Sequence, residues 1–398
     1  MSNRYTRSTL IPAMILGVFT YGLIAALLGT VLPELGERFN LTAKESGLIA
    51  TMQALGLMIA SVLVGPIVDR RGKKTGIVAG LSCITLGLVM LMSAGNNPTI
   101  VVSWCCWSTL VLGLGGGMLV TGSNALISDV SEDRRASALN LLNMFFGLGT
   151  MVTPLLAANV SALSSTHALS VTLTAIVGLT LLVNIGTPMP LPTRERGFTV
   201  SAAHKLLRQP PLYLLSLILF FYVASEVGVF NWLVKYLEEE KKFARGDARN
   251  ILSWGFALGL LVGRVVASRI LLGISEISVT LVASISMAIT TFAMLRLDDP
   301  ILITGLVFAA GVAMAPVFPT TLAICGNLFS KMTATAMGIV ITSGWAGLTL
   351  SSYAIGFVAD RLSLGLALLL LPAMSVVLIA INLVLRPYVK SVSPVSST

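Results

Sequence analysis

The chain has 398 residues, of which 55% are apolar and 11% charged, and its mean hydropathy is +0.91. Soluble domains carry about 25% charged residues, so this composition excludes a soluble protein and predicts an integral membrane protein. The net charge of +9 is interpreted as membrane topology and attraction to anionic lipid, and nucleic acid is not an expected partner. The four cysteines lie in apolar segments without metal-ligand spacing, so neither a disulfide framework nor a metal site is predicted.

Twelve segments of the sequence have the roughly 20 apolar residues that a membrane-spanning helix needs. They are residues 10–33, 46–67, 76–94, 99–127, 136–160, 167–187, 211–236, 248–272, 277–294, 300–328, 335–359 and 364–386. The runs are continuous and lack the alternation of period two that a barrel wall requires, so helices are predicted. The first run is longer than a signal-peptide core and has no cleavage pattern, so it is expected to remain as an anchor.

The longest polar interruption divides these segments six and six. The predicted organisation is an N-terminal bundle over 1–187, a cytoplasmic linker over 188–210 and a C-terminal bundle over 211–398. Placing both termini in the cytoplasm puts most of the lysines and arginines in the inner loops, as the positive-inside rule requires. The prediction is therefore a multi-pass protein of the cytoplasmic (inner) membrane, with both termini inside.

Two internal matches relate the halves of the chain. The sequence ALGL occurs at 54–57 and again at 257–260, which is an offset of 203 residues. Residues 128–149 align without a gap on 326–347 at an offset of 198. Two six-helix units related by a parallel repeat, with a site between them near the membrane midplane, are typical of secondary transporters. The predicted fold class is all-α, with 12 transmembrane helices in two pseudo-symmetric six-helix bundles.

A charged motif, GPIVDRRGKKTG, follows the second apolar segment at 65–76. It resembles the pattern G-x-x-x-D-R-x-G-R/K-R/K between helices two and three of the major facilitator superfamily; the matching residues are Gly65, Asp69, Arg70, Gly72, Lys73 and Lys74. The resemblance implies that Asp69 lies against a helix N-terminus or an arginine and keeps the cytoplasmic side closed. Gly72 would allow a tight turn, and Gly65 the close approach of another helix. Alternatively, the basic residues are only positive-inside anchors.

The second half of the chain lacks this motif. Ser268, Leu272 and Gly273 stand at the positions of Gly65, Asp69 and Arg70. Arg264 and Arg269 are the charges that remain there to act in a gate.

Polar groups inside the predicted helices point to the substrate, because such groups are costly in lipid. Glu226 is the one carboxylate placed near a helix midpoint, and Arg264 is a plausible partner at similar depth; a purely structural pair is the alternative. Further candidates are Tyr21, Gln53, Asn124, Asn140, Asn143, Asn231, Trp232, Trp254, Thr342 and Trp345. Amides that bind hydroxyl groups and aromatic faces that pack on a ring favour a sugar, although a single asparagine could instead join two helices.

A closer resemblance supports a sugar. ALNLLNMFFGLG (138–149) and LFFYVASEVGVFNWLVKYL (219–237) resemble the fifth and seventh helices of the fucose, galactose and glucose permease family. The resemblance implies that Asn143 binds sugar and that the substrate is a monosaccharide. Two departures are Phe146, at a polar position of that signature, and the lack of acids within helices one and four, with which that family's proton coupling is associated. Proton symport would then depend on Glu226, and sodium coupling or facilitated diffusion are alternatives.

Other functions have weaker support. A drug or lipid exporter driven by proton antiport would carry G-x-x-x-G-P-x-x-G-G, whereas the glycines around Pro154 are missing here. The catalytic motifs H-E-x-x-H, G-x-S-x-G and C-x-x-C are absent, and His167 and His204 fall in predicted loops, so neither an enzyme nor a cofactor is expected. The run LGLGGGML (112–119) lies in an apolar helix and is expected to serve packing. A receptor or lipid scaffold derived from a transporter is a third alternative, and a monomer is expected.

Overall fold

The computed structural model describes residues 7–28, 31, 35, 38–41, 43–94, 98–160, 166–190 and 204–390. Numbered in chain order, the helices are α1 Arg7–Ala25, α2 Ala43–Arg71, α3 Lys73–Met92, α4 Pro98–Val130, α5 Arg135–Asn159, α6 Thr166–Gly186, α7 Pro210–Glu239, α8 Arg245–Asn250 with Ile251–Ala257 and Leu258–Ile270, α9 Glu276–Arg296, α10 Pro300–Met314 with Val317–Leu328, α11 Thr333–Ala359, and α12 Leu364–Leu368 with Leu370–Lys390. Single 3₁₀ turns precede α5 and α11, and the middle segment of α8 is a π-helix. Residues 191–203 of the predicted linker lie outside the described residues.

The described helices agree with the twelve predicted spans. Eleven of them are long and apolar enough to cross a membrane, and Thr9–Ala25 is a shorter apolar helix. The expectation that His167 and His204 lie in loops is wrong, because His167 lies in the first turn of α6 and His204 begins a short helical turn. The described residues contain no strand, so the all-α fold class is confirmed. Large apolar side chains such as Leu179, Leu182 and Ile289 are more than 60% exposed, as is expected where the surrounding solvent is lipid.

The chain forms two compact units. Unit one comprises Met1–Val130, Phe145–Ala203 and Lys331–Thr342, and unit two comprises Ser131–Met144, His204–Ser330 and Ser343–Thr398. Two helices are therefore divided between the units: α5 begins in unit two and α11 begins in unit one. The division into sequence domains at residues 187 and 211 stays a prediction.

Within unit one, glycines bring α4 into backbone contact with its neighbours. A Cβ atom on Gly113 would collide with the main-chain carbonyl of Gln53 in α2, and one on Gly115 would collide with Gly80 in α3. Small residues at such crossings let apolar helices approach closely. The glycine-rich run at 112–119 therefore serves helix packing, as predicted.

A buried asparagine joins helices in each unit. Asn184 of α6 donates to the carbonyls of Thr180 at 2.9 Å and Ala13 at 3.4 Å. Asn382 of α12 accepts from the hydroxyl of Thr280 at 2.6 Å and donates to that of Ser284 at 3.3 Å. The two asparagines are separated by the offset of 198 that the repeat predicts, so the repeat extends to buried polar contacts.

Gly72 alone connects α2 to α3. Its φ of 100° and ψ of 152° lie in a region that is almost restricted to glycine, and its N–H donates to the carbonyl of Val68 at 2.9 Å. We expect Gly72→Ala to lower the free energy of unfolding by about 1–3 kcal/mol, because a Cβ strains this conformation. Thermal unfolding of the detergent-solubilised protein measures the effect.

The control is Gly178→Ala, since Gly178 lies within α6 and a Cβ there would meet nothing within 4 Å. Alanine is favoured over glycine inside a helix by about 1 kcal/mol, so this variant should not be destabilised. Equal melting temperatures for the two variants would contradict the strain assigned to Gly72.

Candidate functional site

Asp69, near the end of α2, accepts hydrogen bonds from the first turn of α11 within unit one. Its Oδ1 accepts from the N–H of Ala334 at 3.1 Å, and its Oδ2 accepts from the N–H and hydroxyl of Thr335 at 2.8 and 2.7 Å. First-turn N–H groups have no partner inside their helix, and the helix dipole favours an anion there. Asp69 thus lies against a helix N-terminus, which is one of the two positions predicted for it.

The neighbours of Asp69 fix this contact. Gly65 lies so close to Ala334 and Thr335 that a Cβ would clash with their backbone. Lys73 Nζ lies 3.5 Å from Asp69 Oδ1 and 2.8 Å from Asp129 Oδ2. The cation beside Asp69 is therefore a lysine, whereas Arg70 is exposed.

A second polar cluster in unit two joins α5, α7 and α8. Arg264 Nη1 donates to the main-chain carbonyl of Asn143 at 2.8 Å, and its Nη2 lies 3.9 Å from Glu226 Oε1. The side chains of Arg264 and Glu226 are only 9% and 17% exposed. Tyr222, one turn before Glu226 on α7, is fully buried, and its hydroxyl has no hydrogen-bond partner among the described residues. Buried opposite charges compensate each other's loss of solvation, which explains why both are tolerated here.

This cluster retains unused hydrogen-bonding capacity. At 3.9 Å, Arg264 and Glu226 attract each other without a hydrogen bond. The Nε of Arg264 and the Oδ1 of Asn140 are buried and have no hydrogen-bond partner among the described residues. Buried donors and acceptors are nearly always satisfied, so these atoms suit a polar ligand.

Unit two also contains five further predicted residues. Asn140, one turn before Asn143, donates to Ala136 O at 2.9 Å and to Thr320 Oγ1 at 3.2 Å. Trp232 and Trp345 are half-buried, whereas Asn231 and Trp254 are exposed. Trp254 stands on the π-helical segment of α8 and is 61% exposed.

Unit one holds Tyr21, Gln53, Asn124 and Thr342. The buried Tyr21 ring stacks on Phe146, with centroids 5.5 Å apart. Asn124 is buried and donates to Val120 O, while Thr342 donates to Gly338 O and to Met58 O. Gln53 is half-buried, and its main-chain carbonyl lies against Gly113.

Sequence reasoning missed two residues of this region. Tyr222 lies four positions before Glu226, so helical periodicity could have placed it on the same face. Thr320 had no such signal, because its contact with Asn140 spans 180 residues. The structure thus brings Asn143, Glu226 and Arg264 together in unit two, and it gathers the motif residues Gly65, Asp69 and Lys73 in unit one.

The twelve apolar helices in the described part of the chain, the internal repeat and the buried charged cluster are features of a multi-pass membrane transporter. Residues 14–300 match the Major Facilitator Superfamily, and the chain belongs to it. Membership in this family indicates a transporter and not an enzyme, in agreement with the sequence analysis.

Similar proteins include two named sugar transporters. The chain is 26% identical over 268 residues to the glucose/galactose transporter of Brucella abortus, covering 63% of this chain and 64% of that protein. It is 20% identical over 396 residues to the glucose/mannose transporter GlcP of Bacillus subtilis, covering 95% and 94%. The crystal structure of FucP from E. coli in the outward conformation matches with a TM-score of 0.81 at 21% identity, covering 95% and 99%. This structural likeness shows a shared fold.

Proposed function

We propose that this protein carries a monosaccharide across the cytoplasmic membrane by alternating access. The observation that carries the proposal is the buried cluster of Glu226 and Arg264 with the main-chain carbonyl of Asn143, which combines a carboxylate, a guanidinium and a carbonyl within apolar helices. Polar and ionisable groups at such positions are costly and usually functional. The glucose and galactose or mannose named for the two relatives support the substrate class.

A sugar would supply the hydrogen bonds that the cluster lacks. Its hydroxyl groups both donate and accept, so one can donate to Glu226 while another accepts from the Nε of Arg264. The half-buried Trp232 and Trp345 offer aromatic faces for the apolar side of a sugar ring. A neutral ligand also leaves the charge balance between Glu226 and Arg264 intact.

We assign the gate to the contact between Asp69 and α11. The three hydrogen bonds that Asp69 accepts from α11 must break before the first turn of α11 can separate from α2. The basic residues Arg70, Arg71, Lys73 and Lys74 lie at this end of the helices. Since basic residues concentrate in cytoplasmic loops, this end and both termini are assigned to the cytoplasm.

Uptake by purified protein in liposomes tests the substrate class. We expect saturable uptake of radiolabelled glucose or galactose, competed by unlabelled sugar. Parallel reactions with an imposed proton gradient, a sodium gradient or neither identify the coupling ion, and equal rates in all three indicate facilitated diffusion. If neither sugar is taken up under any of these conditions, the proposal of a monosaccharide substrate is contradicted.

Two substitutions test the site. Glu226→Gln and Asn143→Ala should each reduce the initial uptake rate at least several-fold, because the first removes the negative charge beside Arg264 and the second removes the buried amide of the residue whose carbonyl Arg264 binds. The matched control is Glu239→Gln, which neutralises a carboxylate on the same helix whose side chain is 57% exposed, and it should transport normally. Wild-type rates for both Glu226→Gln and Asn143→Ala would show that the site lies elsewhere.

A further inference from the structure

The middle segment of α8, Ile251–Ala257, is π-helical, and the N–H of Leu258 donates to the carbonyl of Ser253, five residues earlier. Hydrogen bonds of a π-turn span five residues where those of an α-turn span four; such turns are rare and occur frequently at functional sites. Ordinary α-helical segments lie on both sides, Arg245–Asn250 and Leu258–Ile270. The π-turn therefore gives α8 one residue more than an uninterrupted α-helix of the same number of turns.

The internal repeat shows that the π-turn is an addition in unit two. A Cβ atom on Gly259 of α8 would collide with the carbonyl of Phe308 in α10. In unit one, a Cβ atom on Gly56 of α2 would collide with the carbonyl of Leu110 in α4. The offsets of 203 and 198 relate these two contacts residue by residue. At the offset of 203 the π-helical segment corresponds to 48–54, which lie inside the continuous α-helix α2. Packing at this crossing therefore does not account for the π-turn.

The π-turn determines which residues of α8 face outward. In an uninterrupted α-helix, residues at i, i+7 and i+11 share one face, so Ser253 would lie on the face of Leu260 and Arg264. Leu260 and Arg264 are buried, whereas Ser253 and its neighbour Trp254 are exposed. The π-turn thus directs Ser253 and Trp254 away from the face that carries Arg264.

We propose that the π-turn is the open form of a lid, the α8 lid, which comprises residues 245–254. The lid closes over the cluster of Glu226 and Arg264 when the π-helical segment becomes α-helical. This change moves the extra residue out of the turn and rotates the lid by about 100°, which is the angle of one residue in an α-helix.

The other half of α8 stays in place during this rotation, because Gly259 and Gly263 lie against the backbone of α10. The rotation therefore brings Ser253 onto the face of Arg264, with Trp254 beside it. The inference rests on the sugar site proposed above and assigns two further contacts to the sugar. One is a hydrogen bond with the hydroxyl of Ser253, and the other is packing against the ring of Trp254.

Two features keep both forms of the segment accessible. Gly255 lies in its middle, and glycine is a weak helix former, which disfavours the α-helical form. Phe256 is fully buried and packs edge-on against Phe230 of α7, with ring centroids 5.0 Å apart, which anchors the end of the segment. A sugar that contacts Ser253 and Trp254 only in the closed form shifts the equilibrium toward that form.

Single-residue deletions test the two forms of α8. Deletion of Leu252 removes the extra residue and leaves the lid closed. This variant should melt close to the wild type in detergent, because both halves of α8 keep their packing, but it should take up glucose only at the background rate. The matched control is deletion of Val262 from the α-helical half. It has no extra residue to remove and shifts Gly259 relative to Gly263, so its melting temperature should be far lower.

A substitution tests the contact with the sugar. Trp254→Ala should raise the KM for glucose uptake several-fold, because the closed lid loses its aromatic ring, whereas the maximal rate should change less. The matched control is Trp107→Ala on α4, since Trp107 and Trp254 are both 61% exposed. Trp107→Ala should leave the KM unchanged.

Three results would overturn the α8 lid. The first is a melting temperature as low without Leu252 as without Val262, and the second is wild-type glucose uptake without Leu252. The third is an equal KM for Trp254→Ala and Trp107→Ala. A wild-type protein that takes up no hexose contradicts the proposed function instead, and the melting temperatures of the two deletion variants still test the two forms of α8.

Discussion

Replacing Asp69 by asparagine is expected to lower hexose uptake at least tenfold while the protein remains folded. The substitution removes the negative charge from three hydrogen bonds to the first turn of α11. In addition, the side-chain NH₂ of the asparagine would face a backbone N–H of that turn, and two donors do not form a hydrogen bond with each other. Hydrogen bonds to charged groups contribute about 1.5–3 kcal/mol each, so the loss shifts the conformational equilibrium by more than tenfold. Transport slows because the cycle must visit both states.

The change in conformation is measured separately from uptake. Deuterium exchange over residues 331–342 should rise in Asp69→Asn, since the start of α11 is released. Asp133→Asn is the matched control, because Asp133 is exposed on the loop before α5 and loses the same charge. If Asp69→Asn transports at the wild-type rate with unchanged exchange over 331–342, Asp69 does not act as a gate.

Hydropathy and repeat patterns predict the helices well, because a membrane span is a local property of about 20 residues. The helix ends differ from the prediction where a polar turn joins the apolar run. Lys73 and not residue 76 begins α3, since Gly72 by itself makes the turn. The predicted span 300–328 is interrupted after Met314, because Pro316 lacks the N–H that would continue the helix.

The contacts of the candidate site were harder to predict from the sequence than the helices. Asp69 could be predicted to meet a helix N-terminus, yet nothing local identifies α11, which begins 264 residues later. Arg264 had two possible roles, in a gate or beside Glu226, and tertiary packing places it beside Glu226. Its strongest contact is with the main-chain carbonyl of Asn143. Every residue has such a carbonyl, so no sequence pattern marks this one.

Replacing Arg264 by glutamine is expected to be the most destabilising single change in the cluster. It leaves the charge of Glu226 nearly buried without a compensating cation, which costs about 3–5 kcal/mol. The hydrogen bond to Asn143 O would be lost or weakened as well. Thermal unfolding in detergent should therefore show a lower melting temperature for Arg264→Gln than for Glu226→Gln, and hexose uptake should fall to background.

The double variant Glu226→Gln/Arg264→Gln separates charge compensation from loss of packing. Removing both charges ends the electrostatic penalty, so the double variant should melt above Arg264→Gln although it carries one more substitution. Groups in contact typically show coupling energies of about 0.5–3 kcal/mol in such cycles. Arg296→Gln, at an exposed arginine, controls for the loss of a cation. A double variant no more stable than Arg264→Gln would mean that Arg264 acts through Asn143 alone, and that Glu226 is not its partner.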